Sequence, residues 1–277
     1  MIQPVLQDDA FLANVTAARA EFDPGRLFVW WLGQSGFLLC HQGRCLLFDP
    51  YLSDSLTRKY AATDKPHVRL TARVVEPARL DFIEAVTSSH NHTDHLDAET
   101  LLPIFSANSS TRLVLLRANL SFASERLGAA ARPRFVPLAD GESASAGPFT
   151  FTAVPAAHEQ PAPEFGGFVA TVGPFRIYHS GDTVMFAGLI ERLRPLRIDL
   201  ALLPINGRAP ERRVAGNLDG PEAARLARAI GARWVVPCHY DMFAFNTASP
   251  ADFVVECARL GQACAVLHPG QCWSLPD

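Results

Sequence analysis

Apolar residues fall along this chain in short runs separated by glycine, proline and asparagine, and the spacing within each run sets what it predicts. Residues 28–32, 36–40 and 45–48 are apolar stretches divided by glycine-containing turns, the pattern of a β-meander. Residues 82–86, 112–116 and 233–236 read as further strands, and 198–205 is the nearly unbroken apolar run that a strand covered on both faces needs. Residues 133–158 return to strands, and 167–172 with 175–179 read as a hairpin about Gly173-Pro174. Between them lie segments of helical character: 9–21 with Asp8 or Asp9 as cap, 97 to about 102, 119–127, 184–193, and 221–230, which opens on Pro221. Strand and helix in alternation predict an α/β layered fold. Residues 52–77 follow no period and predict a loop or partly helical insertion near a pocket mouth.

The chemistry concentrates where the 82–86 strand ends. Ser88-Ser89-His90-Asn91-His92-Thr93-Asp94-His95-Leu96-Asp97 sets three histidines and an aspartate close together. On an extended backbone alternate side chains share a face, so His90 and His92 are expected to grip one ion. A turn into a helix at Asp97 would carry Asp94 and His95 to the far side of the same pocket, around a second ion. Imidazole and carboxylate are ligands that Zn²⁺ and Mn²⁺ accept. A solitary histidine is ordinarily a solvated or hydrogen-bonded side chain, but packing gains nothing from this cluster.

His-x-His-x-Asp-His after a strand resembles the metallo-β-lactamase superfamily. That resemblance implies a four-layer αββα sandwich of the metallo-β-lactamase type, holding two divalent ions. It also implies the remaining ligands: His158 just past a strand end, Asp182 in Ser180-Gly181-Asp182-Thr183 as the carboxylate between the ions, and His239 completing the second site. Asp49, at the end of the 45–48 strand, is expected to brace the metal-binding loop by hydrogen bonds, and Asp241 to orient a ligand imidazole. His179 lies within a strand and is expected to be packed. The stretches Trp31-Leu32-Gly33-Gln34-Ser35-Gly36, Asp49-Pro50, Pro204-Ile205-Asn206-Gly207-Arg208 and Pro237-Cys238-His239-Tyr240-Asp241 make residues 28–273 similar to the branch containing the L-ascorbate-6-phosphate lactonases. Gln34, Asn206, Arg208 and Tyr240 are the candidate substrate contacts. Arg208 is either a bidentate anchor for a phosphate or carboxylate or a surface arginine; Tyr240, Asp241, Phe243 and Asn246 line the mouth or pack beneath it.

Composition narrows the classes. A chain of 277 residues with 48% hydrophobic content can bury one large core, and no linker-like segment divides it, so a single domain over 1–277 is expected, with 1–26 as an N-terminal helical extension. A formal charge of −3 without a basic run argues against nucleic acid or an anionic membrane as partner. Positive charge is nearly all arginine, with Lys59 and Lys65 the only lysines. Neither a membrane-length apolar run nor a signal-peptide pattern is present, which predicts a cytoplasmic protein. The six cysteines are irregularly placed; Cys40 and Cys45 are read as reduced core residues, with pairing across a hairpin as the alternative. The apolar pattern leaves a homo-oligomer open.

The resemblance implies a binuclear metal-dependent hydrolase acting on a lactone or related small anionic ester. Water would be activated between the two ions, with Asp182 bridging them and Asp94 both ligand and proton acceptor. Manganese is the ion the resemblance favours, while zinc or iron would accept the same donors. A phosphodiesterase or nuclease on the same fold is the alternative, although it would need a basic groove. A di-iron oxygen-reducing protein is disfavoured, because such relatives carry glutamate where His92 stands. Ser180 does not sit in Gly-x-Ser-x-Gly, so no serine nucleophile competes.

Overall fold

The computed structural model describes residues 1–212 and 215–275. The apolar runs become two seven-stranded sheets. The first takes β1 (Phe28–Gly33), β2 (Gly36–His41), β3 (Arg44–Phe48), β4 (Ile83–Ser88), β5 (Arg112–Leu116) and β6 (Phe135–Leu138) in sequence order. The second takes β7 (Ser143–Ala146), β8 (Phe149–Ala157), β9 (Pro161–Val172), β10 (Phe175–His179), β11 (Leu200–Pro204), β12 (Trp234–Cys238) and β13 (Ala263–Cys264). β14 (Cys272–Ser274) returns to the first sheet beside β1. The meander β1–β3 is antiparallel and β3 to β6 run parallel; in the second sheet β7 to β10 are antiparallel and β10 to β13 parallel.

Period-two alternation explains why these strands are apolar on both faces. In β1, Val29 and Trp31 join Phe151, Phe168 and Ile177 between the sheets, while Trp30 and Leu32 join Phe11 and Val15 of α1 (Asp8–Arg19) on the outer side. Each such side chain contributes about 1.5–3 kcal/mol on burial. α2 (Ser55–Tyr60) lies in the insertion after β3, and α3 (Ala98–Ala107) and α4 (Leu120–Leu127) share the outer cluster of the first sheet. α5 (Leu189–Leu193) and α6 (Gly220–Ile230) contribute apolar residues to the second sheet's core, and α7 (Ala251–Leu260) packs on α6. The αββα expectation holds. Asp219 caps α6 through a reciprocal pair with Glu222, at 2.7 and 3.0 Å.

The differences from expectation have local causes. Neither Asp8 nor Asp9 caps α1: Gln7 stands at that position, and its own amide donates to Arg73 O at 2.8 Å. The helix expected over 184–193 forms only from Leu189, because Gly188 takes a left-handed conformation (φ 89°) and Val184 N is bonded to Ala157 O at 2.7 Å. Cys40 and Cys45, read as reduced, stand directly opposite in the β2–β3 register with Cα atoms 4.3 Å apart, and the structure joins them in a disulfide. The 52–77 insertion does reach a pocket mouth, with α2 inside it. Among the described residues no helix is long and apolar enough to cross a membrane.

Candidate metal centre

The chemistry-bearing loops all leave the carboxyl ends of strands, where the two sheets open. His90, His92, Asp94 and His95 follow β4; Asp49 follows β3, His158 β8, Asp182 β10 and His239 β12. β4 stops at Ser88, so His90 and His92 sit in a loop rather than on the extended run expected of them. They still converge, because the loop turns tightly: His95 N and Leu96 N both donate to His92 O, at 3.1 and 2.9 Å.

Two donor groups result. His90, His92, His158 and Asp182 form one, and Asp94, His95 and His239 the other; within each, the candidate ligand atoms lie within 4.8 Å of one another. Asp182 also belongs with the second group. Its Oδ1 is 3.4 Å from His95 Nε2, and its Oδ2 is 3.3 Å from His239 Nε2 and 3.8 Å from His158 Nε2. Asp94 Oδ2 lies 3.5 Å from His239 Nε2 and 3.7 Å from His95 Nε2.

Whether these residues fit an ion can be judged from what they leave unpaired. His90 Nε2, His95 Nε2 and Asp182 Oδ1 are buried without a hydrogen-bond partner. A buried polar atom in that state costs about 1–3 kcal/mol. Here the unpaired atoms face one another, as the donor set of a divalent ion requires. The opposite ring nitrogens are fixed: His95 Nδ1 donates to Asp49 Oδ2 at 2.7 Å and His158 Nδ1 to Gly216 O at 3.2 Å, while His90 Nδ1 lies 3.1 Å from Ser89 Oγ. Each bond turns Nε2 of its ring toward the site. The donors therefore fit borderline divalent metals.

Asp49 organises the loop from below. Its carboxylate is fully buried and accepts from Thr87 Oγ1 at 2.6 Å, Ser89 N at 3.2 Å, Ser89 Oγ, and His95. Burial pushes its pKa up, but His179 and His95 pull it down further, and the group stays well below the usual carboxylate range. Gln34, Asp49 and His239 all take positive φ, at 50°, 35° and 62°. Such strain in non-glycine residues persists where surrounding structure over-determines it, and it gathers here around the donor groups.

The carboxylates Asp94 and Asp182 are held well below their ordinary range: burial opposes ionisation, but the surrounding imidazoles, His95 and His239, outweigh it. Reciprocally, burial lowers His95 and His239 while Asp182 and Asp94 raise them, the net being upward for both and to about 9 for His239. His90 and His92 are driven down, chiefly by burial.

Above the donors lies a pocket of about 410 Å³. Gln34 and Asn206 line it; Gln34 Nε2 donates to Asp94 Oδ2 at 2.7 Å and lies 3.1 Å from His239 Nε2. Phe243 and Asn246 also line the pocket. Two of the four candidate contacts, Arg208 and Tyr240, do not, and neither does Asp241. Arg208 turns away toward α6, where it pairs with Glu222 at 2.6 Å and donates to Asn217 O at 3.2 Å. His239 and Asp241 both take left-handed φ, so alternate side chains of this turn diverge. Tyr240 points back into the core, stacked on Trp31 at 4.7 Å with its hydroxyl toward Leu267 O, and Asp241 bonds Thr247 rather than bracing an imidazole. His179 is packed as expected, donating to Ser35 O at 2.9 Å and stacked on Phe48.

Sequence reasoning named Phe243 but missed the rest of the cationic and aromatic mouth: Lys59, Lys65 and Arg126, with His67 between Tyr60, Phe243 and Phe245 at centroid distances of 4.3, 4.9 and 4.6 Å. One signal was available. The only two lysines of an arginine-rich chain both line this pocket. Asn217 carried no signal at all.

The profile of the family described as Beta-lactamase superfamily domain matches residues 44–240. A metal-dependent hydrolase of Methanoculleus marisnigri is 31% identical over 253 residues, covering 87% of this chain and 93% of its own. Another, from Carboxydothermus hydrogenoformans, is 27% identical over 255 residues, covering 88% and 97%. Among solved structures, a metallo hydrolase of the archaeon Ignicoccus hospitalis has a TM-score of 0.66 at 20% identity over 91% of this chain and 99% of its own, a likeness of fold.

Proposed function

This chain belongs to the metallo-β-lactamase superfamily of metal-dependent hydrolases, and from that premise we propose that it holds two divalent ions and hydrolyses a lactone or related small anionic ester. The observation that carries the proposal is the position of Asp182, whose carboxylate lies within 3.4 Å of His95 and 3.8 Å of His158, one imidazole from each donor group. His90, His92, His158 and Asp182 would hold one ion; Asp94, His95, His239 and Asp182 the other. Bound there, manganese or zinc supplies Lewis acidity and water of lowered pKa.

The chain's own residues supply the rest. Gln34 Nε2 steadies one oxygen of Asp94 at 2.7 Å, so this carboxylate is positioned to take a proton from the attacking water. Lys59 and Lys65 at the mouth favour an anionic substrate, while Arg208, paired with Glu222, takes the surface alternative. Resemblance to the ascorbate-phosphate lactonase branch supports the lactone over other esters.

The test uses one metal-free preparation reloaded with Mn²⁺ or Zn²⁺ and offered a sugar-phosphate lactone beside bis(p-nitrophenyl) phosphate. Lactone opening that is faster and vanishes with chelator is expected; cleavage of the phosphodiester alone would replace the lactonase reading with a phosphodiesterase. Asp182→Ala is expected to abolish metal-dependent turnover, and full retained activity would refute the two-ion arrangement.

A further inference from the structure

A chain of amides, Asn246, Asn206 and Asn217, lines the pocket, and its direction is set at one end. Arg212 is a pure donor. Its Nη1 bonds Asn246 Oδ1 at 3.2 Å and Asn206 O at 2.6 Å, and its Nη2 bonds Thr247 O at 2.9 Å. Asn246 must therefore present oxygen, not nitrogen, to this junction. That same oxygen accepts from Asn206 Nδ2 at 3.0 Å, which turns the oxygen of Asn206 outward, and this in turn accepts from Asn217 Nδ2 at 3.0 Å. One acceptor is left over. Asn217 is fully buried, lines the pocket, and its Oδ1 has no partner.

The residue before Asn217 locates this acceptor relative to the chemistry. Gly216 O holds His158 Nδ1 at 3.2 Å, so the asparagine follows directly on the segment that orients a candidate ligand. Gln34 repeats the arrangement beside Asp94: its Nε2 is committed to that carboxylate, and its Oε1 is likewise buried without a donor. Neither oxygen can relieve this by rotating its amide, because each nitrogen is already bonded.

We propose that Asn217 is a specificity-determining residue, its Oδ1 accepting a hydrogen bond from a hydroxyl group that the substrate carries beside the bond to be cut, with Arg212 as the positioning residue that fixes the polarity of the amide chain. This rests on the hydrolase reading above and narrows its substrate class to hydroxylated anionic lactones or esters. A site built to bond a hydroxyl discriminates strongly against the analogue lacking it, since the buried acceptor is then left unpaired.

The probes are α-hydroxy-γ-butyrolactone and γ-butyrolactone for turnover, and their hydrolysis products 2,4-dihydroxybutyrate and 4-hydroxybutyrate for calorimetric binding to the Mn²⁺-loaded protein. The wild type is expected to favour the hydroxylated member by about tenfold or more in both measurements. Asn217→Ala is expected to bring that ratio close to one. Arg212→Met, which frees the amides to turn, is expected to lower it, whereas Arg212→Lys retains a donor and the preference. If neither uncharged lactone turns over but the acids bind with the expected ratio, the Asn217 assignment stands, and the lactone reading is decided by the sugar-phosphate lactone above. Absence of discrimination in wild-type binding, or its persistence in Asn217→Ala, overturns the assignment.

Discussion

Asp49→Asn removes one charge and little else, and its effect on ion binding follows from the geometry beneath the loop. The carboxylate receives Thr87 on Oδ1, His95 on Oδ2, and Ser89 on both. An asparagine has one acceptor oxygen: turned one way its NH₂ faces His95, and turned the other way it faces the Thr87 hydroxyl, which can accept, but His95 then meets only a neutral oxygen. At least one charge-assisted bond is lost, worth about 1.5–3 kcal/mol. Because His95 Nδ1 depends on this carboxylate for its orientation, that loss should fall on the ion held by His95, Asp94 and His239. The expected weakening is roughly 10–150-fold, at about 1.4 kcal/mol per decade, overlapping the range typical of groups that orient metal ligands. Titration of the metal-free protein with Zn²⁺ against a chromophoric chelator resolves two affinities. The site of His90, His92 and His158 should change less, because Gly216 holds His158 independently of Asp49 and only His90 meets that carboxylate, at second hand through Ser89. Unchanged affinity at both sites, or an equal fall at both, would refute the claim that Asp49 acts through His95.

Other outcomes test neighbouring steps. Gly181 has φ +60°, and an added Cβ would stand 2.5 Å from Ser89 Cβ and 2.7 Å from Gly166 O; Gly181→Ala should therefore lower bound metal per chain by displacing Ser89 or Asp182, and wild-type metal content would contradict this. Metal-free His239 is raised above its unfolded value to about 9, so its imidazolium–carboxylate stabilisation is complete below about pH 6.5 and is lost as pH rises through 9. The melting temperature of the metal-free protein should fall across that window, metal uptake at pH 7 should release protons, and a flat profile with no release would refute the assignment. Lys59→Ala with Lys65→Ala should raise KM for an anionic substrate several-fold, with an effect that shrinks as salt screens the mouth; Arg208→Ala, already neutralised by Glu222, should change KM less than twofold.

Legibility in the sequence tracked how local the determining physics is. Strand β5 and strand β10 could be bounded to the residue because apolar runs between turn residues carry their own period. His90, His92, Asp94 and His95 declared themselves because they share one loop after one strand. Asp49, His158, Asp182 and His239 are far apart in sequence and were reached only through resemblance; strand-end position alone would not have separated His158 from any other histidine.

What tertiary structure decided is which way side chains face. Arg208 and Lys59 are both cations near loops that border the site, yet Glu222 draws one onto α6 while the insertion carries the other to the mouth. Tyr240 and Asp241 adjoin a candidate ligand, but His239 and Asp241, on either side of Tyr240, are turned through left-handed φ, and alternate side chains part. The Cys40–Cys45 pairing depended on hairpin register, and the unused acceptor of Asn217 on the orientation of a distant guanidinium. The sequence by itself determined the strands, the layers and the types of candidate metal donor, since these follow from periodicity and donor chemistry. The pocket's recognition surface was settled only by folding, because it is assembled from single residues whose direction is set by partners far away in the chain.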